Sequence, residues 1–413
     1  MKKDVEELYS LGDELFRHPE LGYKEYTNKK ILTEYFEKHG LKVTELGLRT
    51  AFKVTIGKGS PRIGLIAELD AIPTLGHPFA NKDDSNAAHS CGHSTQCAIM
   101  AYALVQLKDI IRKGSVTVYF TPAEEFTDIA FREELIKRKE IRYIGGKVNM
   151  LTEGMFDEED LFIHLHTIGQ GNYHFSLNTS LCGFIYKKIT FKGKATHAAV
   201  SPDQGINALN AFVLFDNAIN MLRETFKEED HVRIHGILAE GGQTVNSIPE
   251  KTVYECYVRS SNQETLQAVA SKVDQAAKYC AKAIGASAAI ESLPGYLPMH
   301  QSRLINDIIR KKMLDYCAPD EIHDDELSMA AGDIGDLSCF KPTVQFGYSG
   351  FSGSCHGKDL CIADKKRAYL EPAEIVIATV KYLSENPEYV RKIKKEFKAS
   401  LSKEEYLRYL EGK

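Results

Sequence analysis

The sequence predicts an α/β fold into which a smaller α+β domain is inserted. Strands and helices alternate in the first and last parts of the chain, which is typical of a sheet between layers of helices. The middle part instead follows the order β-α-β-β-α-β, which can form a self-contained unit. The 413 residues also exceed what one hydrophobic core usually serves. We therefore expect residues 1–183 and 294–413 to form one domain and residues 184–293 to form the second.

The first part of the chain carries helix and strand patterns in turn. Amphipathic spacing predicts helices over residues 4–17 and 25–39, and an apolar helix is predicted over 94–112. Runs rich in β-branched and aromatic residues predict four strands, at residues 51–57, 62–67, 116–121 and 160–166. In sheets of this kind the groups that carry chemistry collect at the strand ends.

The middle part predicts two helices among four strands. The strands are at residues 184–192, 231–239, 251–259 and 286–291. Ser201-Pro202 is typical of a helix start, so one helix is expected from there to about 226, and the other over 262–284. Helices near 300–316 and 370–396, with a strand at 343–347, then resume the first domain.

Composition limits the classes of partner. A formal net charge of -5 gives no electrostatic reason to expect nucleic acid or an anionic membrane. No apolar run approaches the ~20 residues that span a bilayer, and the acidic start of the chain carries no apolar signal core. We therefore expect a cytoplasmic protein whose nine cysteines are reduced thiols, available as ligands or nucleophiles.

Polar motifs follow the predicted strands, and together they predict a metal site. Cysteine and histidine suit zinc and similar ions, and Gly92 permits the bend that brings its two neighbours to one ion. Each motif alone is as typical of a solvated loop, but their joint occurrence at separate strand ends is a stronger signal. The motifs are Glu68 with Asp70, Cys91-Gly92-His93, Glu124-Glu125, His164 with His166, and Cys355-His356.

With these motifs in this order, the chain resembles the dinuclear metallo-amidohydrolases and peptidases. That family includes aminoacylases, hippurate hydrolase, indole-acetyl-amino-acid hydrolases and aminobenzoyl-glutamate hydrolase. The resemblance implies a zinc-peptidase-like catalytic domain, with a mixed sheet between helices, and an inserted ferredoxin-like lid and dimerisation domain. Residues 332–338 look most like the aminobenzoyl-glutamate hydrolase branch. The other matching segments are 14–22, 68–73, 89–93, 122–125, 196–199, 246–249, 258–259 and His356.

The resemblance also implies roles for particular residues. Cys91 is expected to bridge two metals, and the spacing from Gly154 and Asp160 favours His166 over His164 as a ligand. Glu124 is the implied general base, with Asp70 as a further catalytic residue. The remaining implied roles are metal ligation by His93, Glu125, His166 and His356, oxyanion stabilisation by His197, and binding of a substrate carboxylate by Asn246 and Arg259.

The resemblance thus implies a hydrolase that cleaves the amide bond of N-acyl or N-aroyl amino acids with a metal-activated water. It would hold two divalent ions per subunit, zinc or manganese, with cobalt or nickel as substitutes in vitro. The substrate would carry a free carboxylate, and a homodimer would form through the inserted domain. One alternative is a dipeptidase or carboxypeptidase. Another is a non-catalytic binding protein, because Ser94 and Gln96 stand where many relatives carry Asp and His. Glu68 is a further departure, at a position where relatives usually carry Asp.

Overall fold

The computed structural model describes residues 2–412, which divide into two compact units. The first unit contains residues 2–180, 300–327 and 332–402. The second contains residues 181–299, 328–331 and 403–412. The domain boundaries predicted after residues 183 and 293 stay a prediction, since a compact unit need not fold independently. No helix within the described range is long and apolar enough to cross a membrane.

The α-helices of the described residues are numbered in chain order. They are α1 Lys2–Phe16, α2 Tyr26–Lys38, α3 His93–Leu107, α4 Ile129–Lys137, α5 Gly146–Thr152, α6 Ala208–Leu222, α7 Gln263–Ala283, α8 Arg303–Met313, α9 Ile334–Ser338, α10 Glu371–Glu385, α11 Pro387–Glu396 and α12 Lys403–Leu410.

The strands follow the same convention. They are β1 Val43–Glu45, β2 Phe52–Lys58, β3 Arg62–Glu68, β4 Ile72–Pro73, β5 Ala87–Ala88, β6 Gly114–Thr121, β7 Leu161–Thr167, β8 Phe175–Leu177, β9 Ser180–Leu181, β10 Gly183–Lys192, β11 Arg233–Glu240, β12 Lys251–Ser260, β13 Ser287–Pro294, β14 Ile322–Asp324, β15 Leu327–Ser328, β16 Thr343–Tyr348, β17 Phe351–Ser352 and β18 Cys361–Ile362.

The first unit is built on a mixed sheet in the order β1-β2-β6-β3-β7-β16-β8-β14. Its four central strands, β6, β3, β7 and β16, run parallel to one another. All or nearly all of the side chains on β3 and β6 are buried, as expected of a parallel sheet covered on both faces. The predicted α/β class is confirmed. The carboxyl ends of the four parallel strands all lie on the same side of the sheet.

Helix α3 lies inside the first unit, between the sheet and two other helices. It packs against β3 and β6, and α1 and α10 cover it. Thirteen of its fifteen residues are buried, because a helix that is apolar on every side is stable only when surrounded by protein. Residues 93 and 94, at its start, are therefore buried at the sheet edge rather than exposed.

Three helix limits differ from the sequence prediction. The helix predicted over 94–112 ends at Leu107. The helix predicted over 370–396 is two helices, because Pro387 disfavours helical backbone at Asn386, where φ is -122° and ψ is 67°. Pro202 begins a single 3-10 turn, and α6 starts later, where the Asn207 side chain accepts hydrogen bonds from Leu209 N and Asn210 N.

The second unit has the predicted order of elements, β10-α6-β11-β12-α7-β13. Its sheet is antiparallel in the order β11-β12-β10-β13, so β11 and β13 form the two edges. The helices α6 and α7 pack on one face of this sheet. The core between them consists of apolar side chains such as Ile189, Phe191, Phe215, Val258 and Val273.

Candidate metal centre and active site

The predicted site residues of the first unit come together at the carboxyl ends of the four parallel strands. Glu68 ends β3, and Glu124 and Glu125 follow β6. His166 lies near the end of β7, and His356 lies in the loop after β16 and β17. Cys91, in the turn before α3, and His93, the first residue of α3, reach the same place.

The turn between Cys91 and His93 requires glycine. Gly92 has a φ of 77°, and a Cβ there would lie 2.6 Å from Thr167 Cγ2. His93 Nδ1 lies 2.8 Å from the carbonyl oxygen of Asp70 and must donate to it. In the neutral ring, the form that binds a cation, Nε2 therefore carries the lone pair. This Nε2 is buried 3.2 Å from Glu68 Oε2 and makes no hydrogen bond within residues 2–412.

The first candidate ligand group consists of Cys91, His93 and His166. One ligand atom from each lies within 4.8 Å of the others, and Cys91 Sγ is 3.3 Å from His166 Nε2. His166 Nδ1 donates to the Thr167 carbonyl at 2.8 Å, which leaves Nε2 free to bind a cation. Burial lowers the pKa of His166 to about 4, so its imidazole is neutral near pH 7.

The second candidate ligand group consists of Cys91, Glu125 and His356. His356 Nε2 lies 3.2 Å from Cys91 Sγ and 3.3 Å from Glu125 Oε1. Although burial opposes ionisation, the hydrogen bond with His356 lowers the pKa of Glu125 to about 2. Cys91 belongs to both groups, which is the arrangement that a thiolate bridging two cations requires.

The thiol at the centre needs a cation to ionise. Burial, and next the Glu125 carboxylate, raises the pKa of Cys91 well above its ordinary value. A bound divalent cation outweighs both effects, because a coordinating thiol loses its proton. Cys355, the residue before His356, belongs to neither of the two groups that contain Cys91.

Asp70 and Glu124 complete this part of the site. Asp70 Oδ2 accepts the backbone N–H of Glu125 at 2.9 Å, and its Oδ1 is 3.4 Å from His93 Nδ1. Asp70 therefore orients a residue of each ligand group. Glu124 Oε2 lies 3.9 Å from His93 Nε2, and Glu68, His93 and Glu124 form a further group of three potential ligands that does not contain Cys91. Burial, then the nearby Glu68 and Glu125 carboxylates, raises the pKa of Glu124 well above its ordinary value.

A buried ion cluster adjoins His93, and sequence reasoning did not predict it. Lys147 Nζ lies 2.7 Å from Glu68 Oε1 and also bonds Asp333. The other oxygen of Glu68 accepts from Gln96 Nε2 at 3.0 Å and lies 3.2 Å from His93 Nε2. Burial works against ionisation, yet Lys147 and then a nearby histidine hold the pKa of Glu68 well below its ordinary value.

The cluster accounts for two residues that depart from the family pattern. Glu68 is longer than aspartate, and it reaches both Lys147 and His164, whose Nε2 is 3.2 Å from Glu68 Oε1. Gln96 returns the contact by accepting the backbone N–H of Glu68 at 3.3 Å. His164 is thus held by Glu68 and by Gln345, at 3.0 Å, while His166 faces Cys91. The two histidines therefore have different surroundings, and the choice of His166 as the ligand stays a prediction.

His197 and Asn246 meet in the second unit, where both are exposed. His197 Nδ1 lies 3.2 Å from Ala199 N and 3.1 Å from Val200 N, and it accepts from both. The neutral ring therefore carries its hydrogen on Nε2. Asn246 Nδ2 lies 3.2 Å from this Nε2. Exchanging the nitrogen and oxygen of the amide by a 180° rotation puts Oδ1 there as the acceptor of that hydrogen.

Arg259 lies near the end of β12, and its contacts are with neighbouring residues of the second unit. Its Nη1 donates to the Met329 carbonyl at 2.9 Å. The guanidinium carbon lies 5.5 Å from the ring centre of Phe184 and 5.4 Å from that of Tyr257. These contacts hold the guanidinium plane in place and leave further N–H donors for a carboxylate.

The family model for peptidase family M20/M25/M40 matches residues 64–381. This chain belongs to that family. The match includes both candidate ligand groups and the ion cluster. The predicted resemblance is therefore confirmed, and the chain is a metal-dependent hydrolase that acts on amide or peptide C–N bonds.

Individual M20 relatives differ in the bonds that their names describe. An Xaa-Arg dipeptidase of Mus musculus is 25% identical, over 98% of this chain and 91% of the relative. A subunit of the p-aminobenzoyl-glutamate hydrolase of Escherichia coli is also 25% identical, over 67% of this chain and 56% of the relative. Among solved structures, a dinuclear metal-binding peptidase of Bacillus subtilis has a TM-score of 0.73 at 19% identity. The likeness covers 93% of this chain and 99% of the Bacillus chain, and it confirms the fold.

The ion cluster of this M20 enzyme leads to a stability prediction. Replacing Lys147 by methionine leaves Glu68 and Asp333 as buried carboxylates without their cation, so we expect a loss of about 3–5 kcal/mol in the free energy of unfolding. Urea titration followed by circular dichroism measures it. The matched control is Lys311→Met, at an exposed lysine, which we expect to change stability by about 0.5 kcal/mol or less. Equal midpoints for the two variants would contradict this role of the cluster.

Proposed function

We propose that this M20 enzyme hydrolyses the amide bond of N-acyl or N-aroyl amino acids and releases an amino acid with a free carboxylate. The observation that carries the proposal is the pair of ligand groups that share Cys91. Cys91, His93 and His166 would hold one divalent cation, and Cys91, Glu125 and His356 would hold the other. Sulfur and nitrogen ligands favour zinc, and the Glu125 carboxylate also admits manganese.

When bound, the two cations polarise the amide carbonyl and make the attacking water more acidic. The residues around them do the rest. Glu124 takes a proton from that water as it attacks the carbonyl carbon, and returns the proton to the leaving nitrogen as the C–N bond breaks. Asp70 holds the Glu125 backbone and the His93 ring still during the exchange.

Residues of the second unit supply substrate recognition in this proposal. His197 Nε2–H, which lies beside Asn246 when no substrate is bound, turns to donate to the oxyanion that develops on the carbonyl oxygen, since its Nδ1 is occupied by two backbone N–H groups. Arg259 binds the substrate carboxylate, with its guanidinium held between Phe184 and Tyr257. Asn246 supports His197 and contributes a polar group to the same carboxylate.

A dipeptidase is the second candidate. The observation that favours it is the match to an Xaa-Arg dipeptidase over 98% of this chain. The chemistry at the metal centre is the same, and the difference lies in the group on the acyl side of the bond: a dipeptide has a cationic amine there, whereas an N-acyl amino acid has an apolar or aromatic group.

A substrate panel separates the two candidates. Metal-loaded enzyme is incubated with N-acetyl, N-benzoyl and N-aminobenzoyl amino acids, with dipeptides that end in arginine or in neutral residues, and with the C-terminal amide of each compound. Release of free amino acid is followed by chromatography. Our proposal expects cleavage of the N-acyl or N-aroyl compounds and at least roughly tenfold lower kcat/KM for the C-terminal amides. Cleavage restricted to dipeptides would favour the second candidate, and no cleavage of any compound would contradict both.

We also propose a homodimer through the second unit. Its edge strand β11 has unpaired backbone groups on its outer side and exposes Ile237 and Leu238, which are 61% and 42% exposed. We expect sedimentation velocity to give a dimer, and Ile237→Lys to shift it towards monomer because a charge would be buried at the paired edge. The control is Tyr279→Lys on α7, at an exposed aromatic away from β11. A wild-type protein that sediments as a monomer would contradict the proposal.

A further inference from the structure

We propose that Glu25 is a positioning residue for the general base: its buried carboxylate fixes the backbone of Ala123 and thereby aims Glu124 into the site. The inference rests on the proposed function for its kinetic consequence. The positioning of Ala123 by Glu25 depends only on contacts within the first unit, which involve no substrate.

The backbone at Ala123 has an unusual conformation that needs external support. Its φ is 53°, in the left-handed region that residues with a Cβ rarely adopt. Ala123 immediately precedes the two functional carboxylates, so this bend determines the direction in which the chain leaves β6. A conformation of this kind persists when its surroundings hold it on several sides.

The N–H of Ala123 donates to Glu25 Oε1 at 2.9 Å. The carbonyl on the other side of the same residue accepts from Gly146 N at 3.1 Å. A side chain at Gly146 would meet the carbonyl oxygen of Pro122 at 1.7 Å, so the two segments are in close contact. The N–H and the carbonyl of Ala123 are therefore both hydrogen-bonded to other segments of the chain. The N–H is bound by a side chain, Glu25, and the carbonyl by the backbone of Gly146.

Glu25 is itself held firmly. It is 0% exposed, and its second oxygen accepts from Thr50 Oγ1 at 2.5 Å. Its backbone carbonyl accepts from Lys29 N at 3.0 Å, which ties the residue to the first turn of α2. The position of the Glu25 carboxylate is thus fixed by contacts at both oxygens and at its backbone. The hydrogen bond from Ala123 N therefore restricts the loop to this position.

Glu25 and Asp70 divide the support of Glu124 between them. Glu25 holds the N–H before Glu124, at Ala123, and Asp70 holds the N–H after it, at Glu125, each at 2.9 Å. Glu124, the proposed base, thus lies between two residues, Ala123 and Glu125, whose backbone N–H groups are each bound to a different buried carboxylate. Asp70 also contacts a candidate metal ligand, His93, whereas the hydrogen bonds of Glu25 go to the loop, to Thr50 and to α2.

The hydrogen bond requires an acceptor oxygen at this place and does not require a negative charge. Glutamine keeps one carbonyl oxygen with the same reach, so Glu25→Gln should preserve the contact with Ala123 N. Alanine removes it and leaves a buried N–H without a partner beside the base. The conservative and the truncating variants therefore separate positioning from a charge effect.

The test compares metal-loaded Glu25→Gln, Glu25→Ala and Thr50→Val with wild type, using the best substrate of the panel. We expect Glu25→Ala to lower kcat by about 100-fold, as small displacements of catalytic groups do, with KM and bound metal little changed. Glu25→Gln should stay within about threefold of wild type. Thr50→Val, which removes the second anchor of Glu25, should fall between them. The control is Glu159→Ala, another buried carboxylate, bonded to Tyr119 at 2.8 Å.

Amide hydrogen exchange of the 119–127 segment provides a readout that needs no turnover. We expect faster exchange there in Glu25→Ala and wild-type protection in Glu25→Gln. Wild-type kcat in Glu25→Ala, equal losses in both Glu25 variants, or a loss matched by Glu159→Ala would overturn the inference. If exchange changes as expected while no amide of the panel is cleaved by wild type, the proposed function fails and the positioning role stands.

Discussion

Replacing Glu124 by glutamine is expected to lower kcat by about 100- to 10,000-fold while the metal content stays that of wild type. Glutamine has nearly the shape of glutamate but cannot take a proton from water or return it to the leaving nitrogen. Glu124 belongs to neither ligand group around Cys91, so its loss should leave both cations bound. Steady-state kinetics with the best amide substrate, together with metal analysis by mass spectrometry, measure both quantities.

Glu159→Gln is the matched control for this experiment, because Glu159 is also buried but its partner is Tyr119. We expect its kcat to stay close to that of wild type. Unchanged turnover in Glu124→Gln would contradict the assignment of the base. Wild-type protein that binds metal and cleaves no compound of the panel would instead favour a non-catalytic binding role, the alternative that Ser94 and Gln96 suggest.

Replacing Cys91 by alanine is expected to abolish the binding of both cations, and with it the activity. Each candidate group loses its sulfur ligand and keeps two other ligands, which is too few to compete with a chelator. After dialysis against a chelator and reloading, the metal content per chain should fall from about two to well below one. Tyrosine fluorescence and circular dichroism of the variant show whether the fold is retained.

The matched control is Cys355→Ala, at a cysteine one residue from His356 that belongs to neither ligand group. We expect this variant to keep both cations and most of its activity. If Cys91→Ala retained two cations after the same treatment, the shared thiolate would be wrong and each cation would need a separate set of ligands.

Local patterns were sufficient for the fold class and for the strand-end location of the site. Strand β6 followed by Glu124 and Glu125, and a glycine between Cys91 and His93, are visible within a few residues of sequence. Parallel strands place their carboxyl ends at one edge, so the convergence of these motifs follows from topology. The same reasoning gave wrong helix limits at two prolines. The break that Pro387 causes was not predicted, and Pro202, taken as the start of a helix, begins only a 3-10 turn.

The supporting contacts lie beyond what local patterns contain. Lys147 bonds Asp333, which is 186 residues away in the chain, and Glu25 holds Ala123 from 98 residues away. A lysine in a short helix has no sequence feature that marks it as buried, because its burial depends on carboxylates supplied by distant segments. His164 and His166 likewise lie on one face of β7, and only their different neighbours distinguish them.

The most direct test of the central claim is a crystal structure of the metal-loaded enzyme with anomalous diffraction data at the absorption edge of the bound ion. We expect two anomalous peaks on either side of Cys91 Sγ. One peak should be bound by His93 and His166, and the other by Glu125 and His356. A single peak held by Glu68, His93 and Glu124, or the absence of any peak beside Cys91, would contradict the shared-thiolate centre.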